Sequence, residues 1–112
     1  MDALLGAAGL GDIGDLFPDA DPAFAGISSI ELLRRVMARV AEAGWLVANA
    51  DLTLVCEHPR LAGYRLAMRE GLASILGVAH DAVSVKATTT EGMGFEGRGE
   101  GIAAHAVCLL SR

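Results

Sequence analysis

A glycine-rich polar run in the last third of the chain places the strongest limit on the fold. The run extends over residues 86–101 and contains five glycines, three consecutive threonines, three glutamates, a lysine and an arginine. A strand-like pattern leads into it over residues 82–87, and an apolar strand-like pattern follows over residues 102–110. We therefore predict a long connection between two strands of a sheet, and such connections within small domains tend to carry function.

The rest of the chain predicts helices packed against that sheet. Ser28 and Glu31 fit a capping box, and apolar residues then recur at helical spacing up to Gly44. Polar and apolar residues alternate over residues 47–56, which is typical of a half-buried strand, and a second amphipathic helix is indicated over residues 64–77. The expected fold class is α/β, as a two-layer α+β sandwich whose mixed sheet carries helices on one face.

The 112 residues are predicted to form a single domain, because 53% of them are hydrophobic and can supply a core. No apolar run approaches the roughly 18 residues of a membrane-spanning helix. The first twenty residues hold four aspartates instead of a basic leader region, so we expect a cytoplasmic protein with no membrane partner. Cys56 and Cys108 lack the spacing of a zinc site and are expected to remain thiols in a reducing compartment.

The net charge of −5 argues against nucleic acid as a partner, since the nine lysines and arginines form no basic stripe. If the ligand carries phosphate, the attraction has to be local. Lys86, Arg98, the amides of the glycine run or a bound cation are the candidates that could supply it.

The threonines and the glutamate near the start of the polar run allow two interpretations. Thr88, Thr89 and Thr90 could satisfy backbone groups at the end of a strand, as such side chains often do. Alternatively, their hydroxyls donate to a phosphate, and a divalent cation separates the phosphate from Glu91. Residues 92–97 also match a dinucleotide-binding fingerprint, but a strand instead of a helix follows them, so we reject that interpretation.

An acidic segment near the N-terminus also has two interpretations. Asp12, Asp15, Asp19 and Asp21 could form a solvated turn, or the rigid settings of Asp12 and Asp19 could suit these residues to bind hydroxyl groups. The segment lacks the glycine and the terminal glutamate of a calcium loop. The three histidines form no metal-binding pair, and no serine, histidine and aspartate set suggests a covalent nucleophile.

Two segments of the chain closely resemble the 2-C-methyl-D-erythritol 2,4-cyclodiphosphate synthase family. They are residues 2–21, DALLGAAGLGDIGDLFPDAD, and residues 86–101, KATTTEGMGFEGRGEG. Residues 49–54 and the pair Pro59 and Arg60 also match the family's central strand and cytidine loop. The resemblance runs the length of the chain.

The resemblance implies a phosphorus-oxygen lyase of isoprenoid precursor biosynthesis by the non-mevalonate pathway. Family members convert 4-diphosphocytidyl-2-C-methyl-D-erythritol 2-phosphate to 2-C-methyl-D-erythritol 2,4-cyclodiphosphate and CMP. The 2-phosphate of the substrate attacks the diphosphate at the phosphorus remote from cytidine, so no protein nucleophile is needed. The family assembles as a homotrimer, with each active site shared between neighbouring subunits.

The resemblance also implies the site residues. Thr89 matches the catalytic threonine that stabilises the transition state, and Glu91 matches the ligand of a magnesium or manganese ion on the diphosphate. Phe95 and Arg98 match residues near the trimer axis and are counted among the substrate-binding candidates. The remaining expected contacts form three groups: for the methylerythritol part, Asp12, Ile13, Gly14, Phe17, Pro18, Asp19, Ala20 and Asp21; for the cytosine, Cys56, Glu57, His58, Pro59, Arg60, Leu61 and Ala62; for the diphosphate, Thr88, Thr89, Thr90 and Glu91.

The chain departs from the family pattern at zinc, the second metal of the complete family enzyme. The resemblance places the zinc ligands, an aspartate and two histidines, before residue 1. The chain is therefore expected to be an N-terminally truncated domain that lacks the zinc ligands and has little or no activity by itself. The alternative is a non-catalytic trimeric remnant that binds cytidine nucleotides.

Overall fold

A computed structural model of the chain describes residues 1–18 and 25–112. Its helices are α1 (Asp2–Ala7), α2 (Ile13–Leu16), α3 (Ser29–Glu42), α4 (Arg65–Leu76) and α5 (Gly94–Gly97). Its strands are β1 (Leu46–Val55), β2 (Val83–Thr88) and β3 (Ala103–Ser111). The strands form one mixed sheet in the order β2-β1-β3, so the α/β fold expected from the sequence is confirmed.

The described residues form two compact units, one of residues 1–48 with 108–112 and one of residues 49–107. In the first unit α1 packs against α3, and the core side chains Leu5, Val36 and Val40 are at most 1% exposed. The hydroxyl of Ser28 accepts a hydrogen bond from the N–H of Glu31 at 3.2 Å, which is half of the predicted capping box. The prediction that the chain is a single domain stays a prediction.

The second unit contains the parallel pair of strands. β1 and β2 pair with Ala50 opposite Val83 and Val55 opposite Thr88. α4 lies between these strands in the chain and packs against β2. It is followed by Gly77, whose φ of 70° is the left-handed conformation that glycine adopts at little cost. Because the two strands are parallel, their carboxyl ends lie side by side.

Two features of the fold differ from the sequence-based expectation. α2 and α5 have only four residues each, and a helix of about one turn shows no apolar periodicity from which it could be predicted. The alternation predicted for β1 is only partly seen, because Ala50 is buried whereas Leu52 and Leu54 are half-buried. The apolar side of this strand is therefore not fully covered within one chain.

Both cysteines are free thiols, as the sequence predicts. The Sγ atom of Cys108 donates a hydrogen bond to the carbonyl oxygen of Ala3 at 3.3 Å, and burial raises the pKa of this thiol. A raised pKa keeps the thiol protonated at neutral pH. No helix within the described ranges is long and apolar enough to cross a membrane.

Candidate active site

The candidate site in the second unit begins where β1 and β2 end. The N–H of Cys56, directly after β1, donates to the carbonyl oxygen of Thr88, the last residue of β2, at 3.0 Å. This hydrogen bond continues the strand pairing by one step. Two segments that the resemblance assigns to different parts of a ligand, residues 56–62 and residues 88–91, therefore start next to each other.

The first of these segments turns back on itself around a buried thiol. Cys56 is 7% exposed, and its Sγ donates to the carbonyl oxygens of His58 at 3.0 Å and Pro59 at 3.5 Å. The His58–Pro59 peptide bond is cis. The residues His58, Pro59 and Arg60 are exposed, and Leu61 is half-buried before a 3-10 turn over Ala62–Tyr64.

Glu57, at the start of that turn, also contacts the loop that follows β2. One carboxylate oxygen, Oε1, accepts hydrogen bonds from the N–H of Thr90 at 3.1 Å and from the N–H of Gly92 at 3.2 Å. The hydroxyl of Thr90 also contacts this oxygen at 3.5 Å. The resemblance assigns Glu57 to the cytosine, and no pattern in the sequence indicates its contact with the threonine loop, 33 residues further on.

The three threonines divide between the two interpretations that the sequence left open. Thr90 satisfies backbone and carboxylate groups, since its hydroxyl donates to the carbonyl oxygen of Met93 and it is half-buried. Thr88 and Thr89 are exposed, and the hydroxyl of Thr88 lies 3.3 Å from the carbonyl oxygen of Thr89. The Thr89 hydroxyl accepts the N–H of Glu91 at 3.2 Å, which leaves its own hydrogen able to bond a ligand oxygen.

The residues present fit a magnesium or manganese ion carried by a phosphate ligand. Glu91 is exposed, its backbone N–H bonds the Thr89 hydroxyl, and a hard carboxylate oxygen suits both ions. Among residues 1–18 and 25–112, no three His, Cys, Asp or Glu side chains gather as they would around an ion held by protein alone. Magnesium is commonly bound by one or two carboxylates together with substrate phosphates, so one carboxylate is sufficient here. The described residues do not fit zinc, which takes three or four protein ligands.

Lys86 and Arg98, the two basic side chains predicted to attract phosphate, are both in ion pairs. Lys86 Nζ lies 2.7 Å from an oxygen of Asp51, and an Arg98 nitrogen lies 3.0 Å from an oxygen of Glu100. All four side chains are about half exposed, so these pairs are weak and water-accessible. Lys86 and Arg98 are thus partly neutralised before any phosphate arrives.

α5 packs against the loop that contains Glu91 and Gly92. A Cβ atom placed on Gly97 would lie 2.2 Å from the carbonyl carbon of Gly92, which is closer than any real contact. The short helix therefore packs backbone to backbone against the loop that holds Glu91. Phe95 within α5 is 46% exposed and lies near Gly101. Sequence reasoning missed the role of Gly97, although a glycine within such a run is a signal for close backbone approach.

Asp12 and Asp15, the first two aspartates of the acidic segment, belong to the first unit and have structural partners there. Asp12 and Asp15 cap α2 reciprocally, with Asp12 Oδ1 accepting the N–H of Asp15 at 2.9 Å and Asp15 Oδ2 accepting the N–H of Asp12 at 3.1 Å. Asp2 accepts the N–H of Ile13 at 2.8 Å and so ties α2 to the start of α1. The Asp12 carboxylate is therefore engaged in helix capping, and a contact with substrate hydroxyls stays a prediction.

Next to this capped turn lies an apolar pocket of the first unit. Phe17 is buried at 8% exposure, and Pro18 is exposed. The pocket is lined by Ile13, Gly14, Phe17, Pro18, Ala25, Ile27 and Leu32. Three of the predicted substrate contacts, Asp19, Ala20 and Asp21, lie outside the described residues.

Comparison with known proteins agrees with the resemblance. The model of the YgbB family matches residues 1–111. The 2-C-methyl-D-erythritol 2,4-cyclodiphosphate synthase of Methylococcus capsulatus is 62% identical over 111 residues, which are 99% of this chain and 70% of that relative.

Solved structures agree in the fold as well. The bifunctional IspDF of Campylobacter jejuni superimposes with a TM-score of 0.92 at 43% identity, over 97% of this chain and 30% of that one. The CDP complex of Plasmodium falciparum IspF superimposes with a TM-score of 0.83 at 28% identity, over 97% of this chain and 65% of that one. A family match over nearly every residue, supported by close relatives and by the fold, shows that this chain belongs to the YgbB family.

Proposed function

We propose that this chain supplies the phosphate-binding and cytidine-binding part of a cyclase that converts 4-diphosphocytidyl-2-C-methyl-D-erythritol 2-phosphate to the 2,4-cyclodiphosphate and CMP. The observation that supports this most is that residues 56–62 and residues 88–91 start next to each other, at the carboxyl ends of β1 and β2. Ligands of α/β sheets bind preferentially at the carboxyl ends of parallel strands. A cytidine diphosphate, with a base at one end and phosphates at the other, matches two such segments side by side.

The reaction is an internal displacement at phosphorus. An oxygen of the substrate's 2-phosphate forms a bond to the phosphorus remote from cytidine, and the bond from that phosphorus to the bridging oxygen breaks. The electron pair of the broken bond leaves with CMP, and the ring closes without a protein nucleophile. The chain's contribution is to hold the two phosphates in line and to stabilise the charge that develops on the phosphoryl oxygens.

Individual residues take roles that their geometry allows. Thr89 donates its hydroxyl hydrogen to a phosphoryl oxygen while its own oxygen stays bonded to the N–H of Glu91, so the donor is held in place. Thr88, which is exposed at the end of β2, supplies a second hydroxyl. Pro59 and Arg60 in the exposed turn contact the cytidine. Glu91 would hold magnesium or manganese, which when bound neutralises diphosphate charge.

We extend the proposal to the assembly. Val107 and Leu109 lie on one side of β3 and are 71% and 58% exposed in the single chain, and Phe95 and Ile102 are also exposed. Exposed apolar side chains at this density favour burial against another protein surface. A homotrimer, as the resemblance implies, would cover them, and the free thiols agree with the cytoplasmic location that we propose for it.

The metal requirement gives the test of this function. The substrate is mixed with a form of the protein that carries the zinc ligands. The rate of CMP release is then measured as a function of magnesium or manganese concentration. Glu91→Ala is expected to raise the half-saturating metal concentration at least about tenfold, the scale on which loss of one charged ligand contact acts, while zinc content stays unchanged. Glu70→Ala on α4, which removes another exposed carboxylate, serves as the control.

Two results would count against the proposal. An unchanged metal dependence in the Glu91 variant would remove Glu91 from its role, and the absence of CMP release from a form that carries the zinc ligands would contradict the cyclase assignment itself. Because the resemblance places the zinc ligands outside residues 1–112, we propose that these residues by themselves release little or no CMP. Zinc-dependent release by the 112 residues alone would contradict that statement.

A further inference from the structure

We propose that Glu57 is a positioning residue. It holds the phosphate-binding loop, residues 88–92, in the conformation that binds phosphate, and it joins this loop to the cytidine-binding turn, residues 56–62. The inference rests on the proposed function for the identity of the ligand, but the contacts that carry it are independent of that identity. They place one carboxylate, on the segment after β1, against the loop after β2. Glu57 contacts no reacting atom in this account and acts through the loop.

The loop has a backbone shape that needs support. Glu91 has φ of 56° and Gly92 has φ of 83°, so two consecutive residues are left-handed and the first of them carries a side chain. Non-glycine residues adopt this conformation at a cost, and it persists only where the surroundings hold it. The side chain that bears this strain is the one proposed to hold the metal.

Glu57 supplies that support on both sides of Glu91. Its Oε1 accepts the N–H of Thr90, the residue before Glu91, at 3.1 Å and the N–H of Gly92, the residue after it, at 3.2 Å. A single acceptor thus fixes the orientation of both neighbouring peptide groups. The half-buried position of Glu57 and Thr90 strengthens these hydrogen bonds relative to fully exposed ones.

The same side chain connects the two ligand segments. Glu57 follows Cys56, whose N–H pairs with the carbonyl oxygen of Thr88 and whose thiol holds the turn of His58 and Pro59. A displacement of the cytidine turn therefore moves the acceptor of the phosphate loop. Binding of the nucleotide end and ordering of the phosphate end are coupled through one residue.

Substitutions at position 57 separate the effect of side-chain length from the effect of charge. Glu57→Gln keeps an oxygen at the same reach without the charge, and Glu57→Asp keeps the charge but shortens the reach by one methylene. Glu57→Ala removes both. Glu70→Gln, Glu70→Asp and Glu70→Ala are the matched controls, because Glu70 is an exposed carboxylate on α4.

In a form that carries the zinc ligands, Glu57→Ala and Glu57→Asp are expected to lower kcat and to raise the half-saturating manganese concentration, each by roughly tenfold, the effect of leaving a backbone N–H donor without its acceptor. Glu57→Gln is expected to restore most of both values. A merely structural role would instead lower the folded fraction without changing the manganese dependence. Rescue by Asp but not by Gln, or wild-type behaviour of all three variants, would overturn the proposal.

A second measurement does not depend on catalysis. Amide hydrogen exchange in the wild-type protein and the Glu57→Gln variant is compared with Glu57→Ala at Thr90 and Gly92, with the Arg98 amide, bonded to Gly94, as internal reference. Faster exchange at Thr90 and Gly92 alone in the alanine variant supports the positioning role even if no CMP is released. Unchanged exchange at both amides overturns it, whatever the activity.

Discussion

At the scale of single residues, the loop that carries Glu91 depends on a glycine that touches no ligand. A methyl group on Gly97 would collide with the backbone of Gly92 at 2.2 Å, and a backbone atom cannot move aside as a flexible side chain can. We expect Gly97→Ala to displace the loop and to destabilise the fold by roughly 1–3 kcal/mol, the usual cost of overpacking. CMP release should fall by more than the folded fraction does.

Gly63→Ala is the control for this prediction. A Cβ atom on Gly63 meets nothing within 4 Å, and this glycine lies outside the loop. Denaturant unfolding and CMP release are measured for both variants. Equal behaviour of Gly97→Ala and the wild type would mean that α5 does not support the loop.

At the scale of elements, the long segments follow from local patterns. α3 and α4 lie where apolar residues recur at helical spacing, and β1, β2 and β3 match the predicted strands to within one or two residues. α2 and α5 could not be predicted, because one helical turn has too few side chains to show a period. They are defined by contacts instead: α2 by the capping of Asp12 and Asp15, and α5 by its approach to Gly92.

α4 offers a prediction about stability at this scale. Gly71 is exposed within the helix, its φ is not left-handed, and an added Cβ meets nothing within 4 Å. Gly71→Ala is therefore expected to stabilise the protein by roughly 0.5–1 kcal/mol through the higher helix propensity of alanine. Thermal unfolding measures the change, with Gly77→Ala, at φ of 70°, as the counterpart that should destabilise. A loss of stability in Gly71→Ala would indicate that this face of α4 is covered in the assembly.

At the scale of the whole molecule, the exposed apolar side of β3 is the surface through which we propose that chains associate. The proposed homotrimer predicts a mass in light scattering of three times the 11.6 kDa of one chain. Val107→Asp places a charge on the exposed apolar side of β3 and should shift the mass towards the single chain. Leu66→Asp, at an exposed leucine on α4, should leave the mass unchanged. A monomeric wild type would contradict the trimer, and a trimeric Val107→Asp variant would contradict the placement of β3 in its interface.

Patterns along the sequence were sufficient to predict the secondary structure of the long elements, the polar run as the candidate site and, through the resemblance, the family. These depend on residues near one another in the chain, where periodicity and motifs are visible. Three contacts become visible only in the folded chain: Glu57 with Thr90 and Gly92, Lys86 with Asp51, and Gly97 with the backbone of Gly92. The first two depend on the parallel register of β1 and β2 and the third on the fold of the glycine run, and neither is visible in a local pattern.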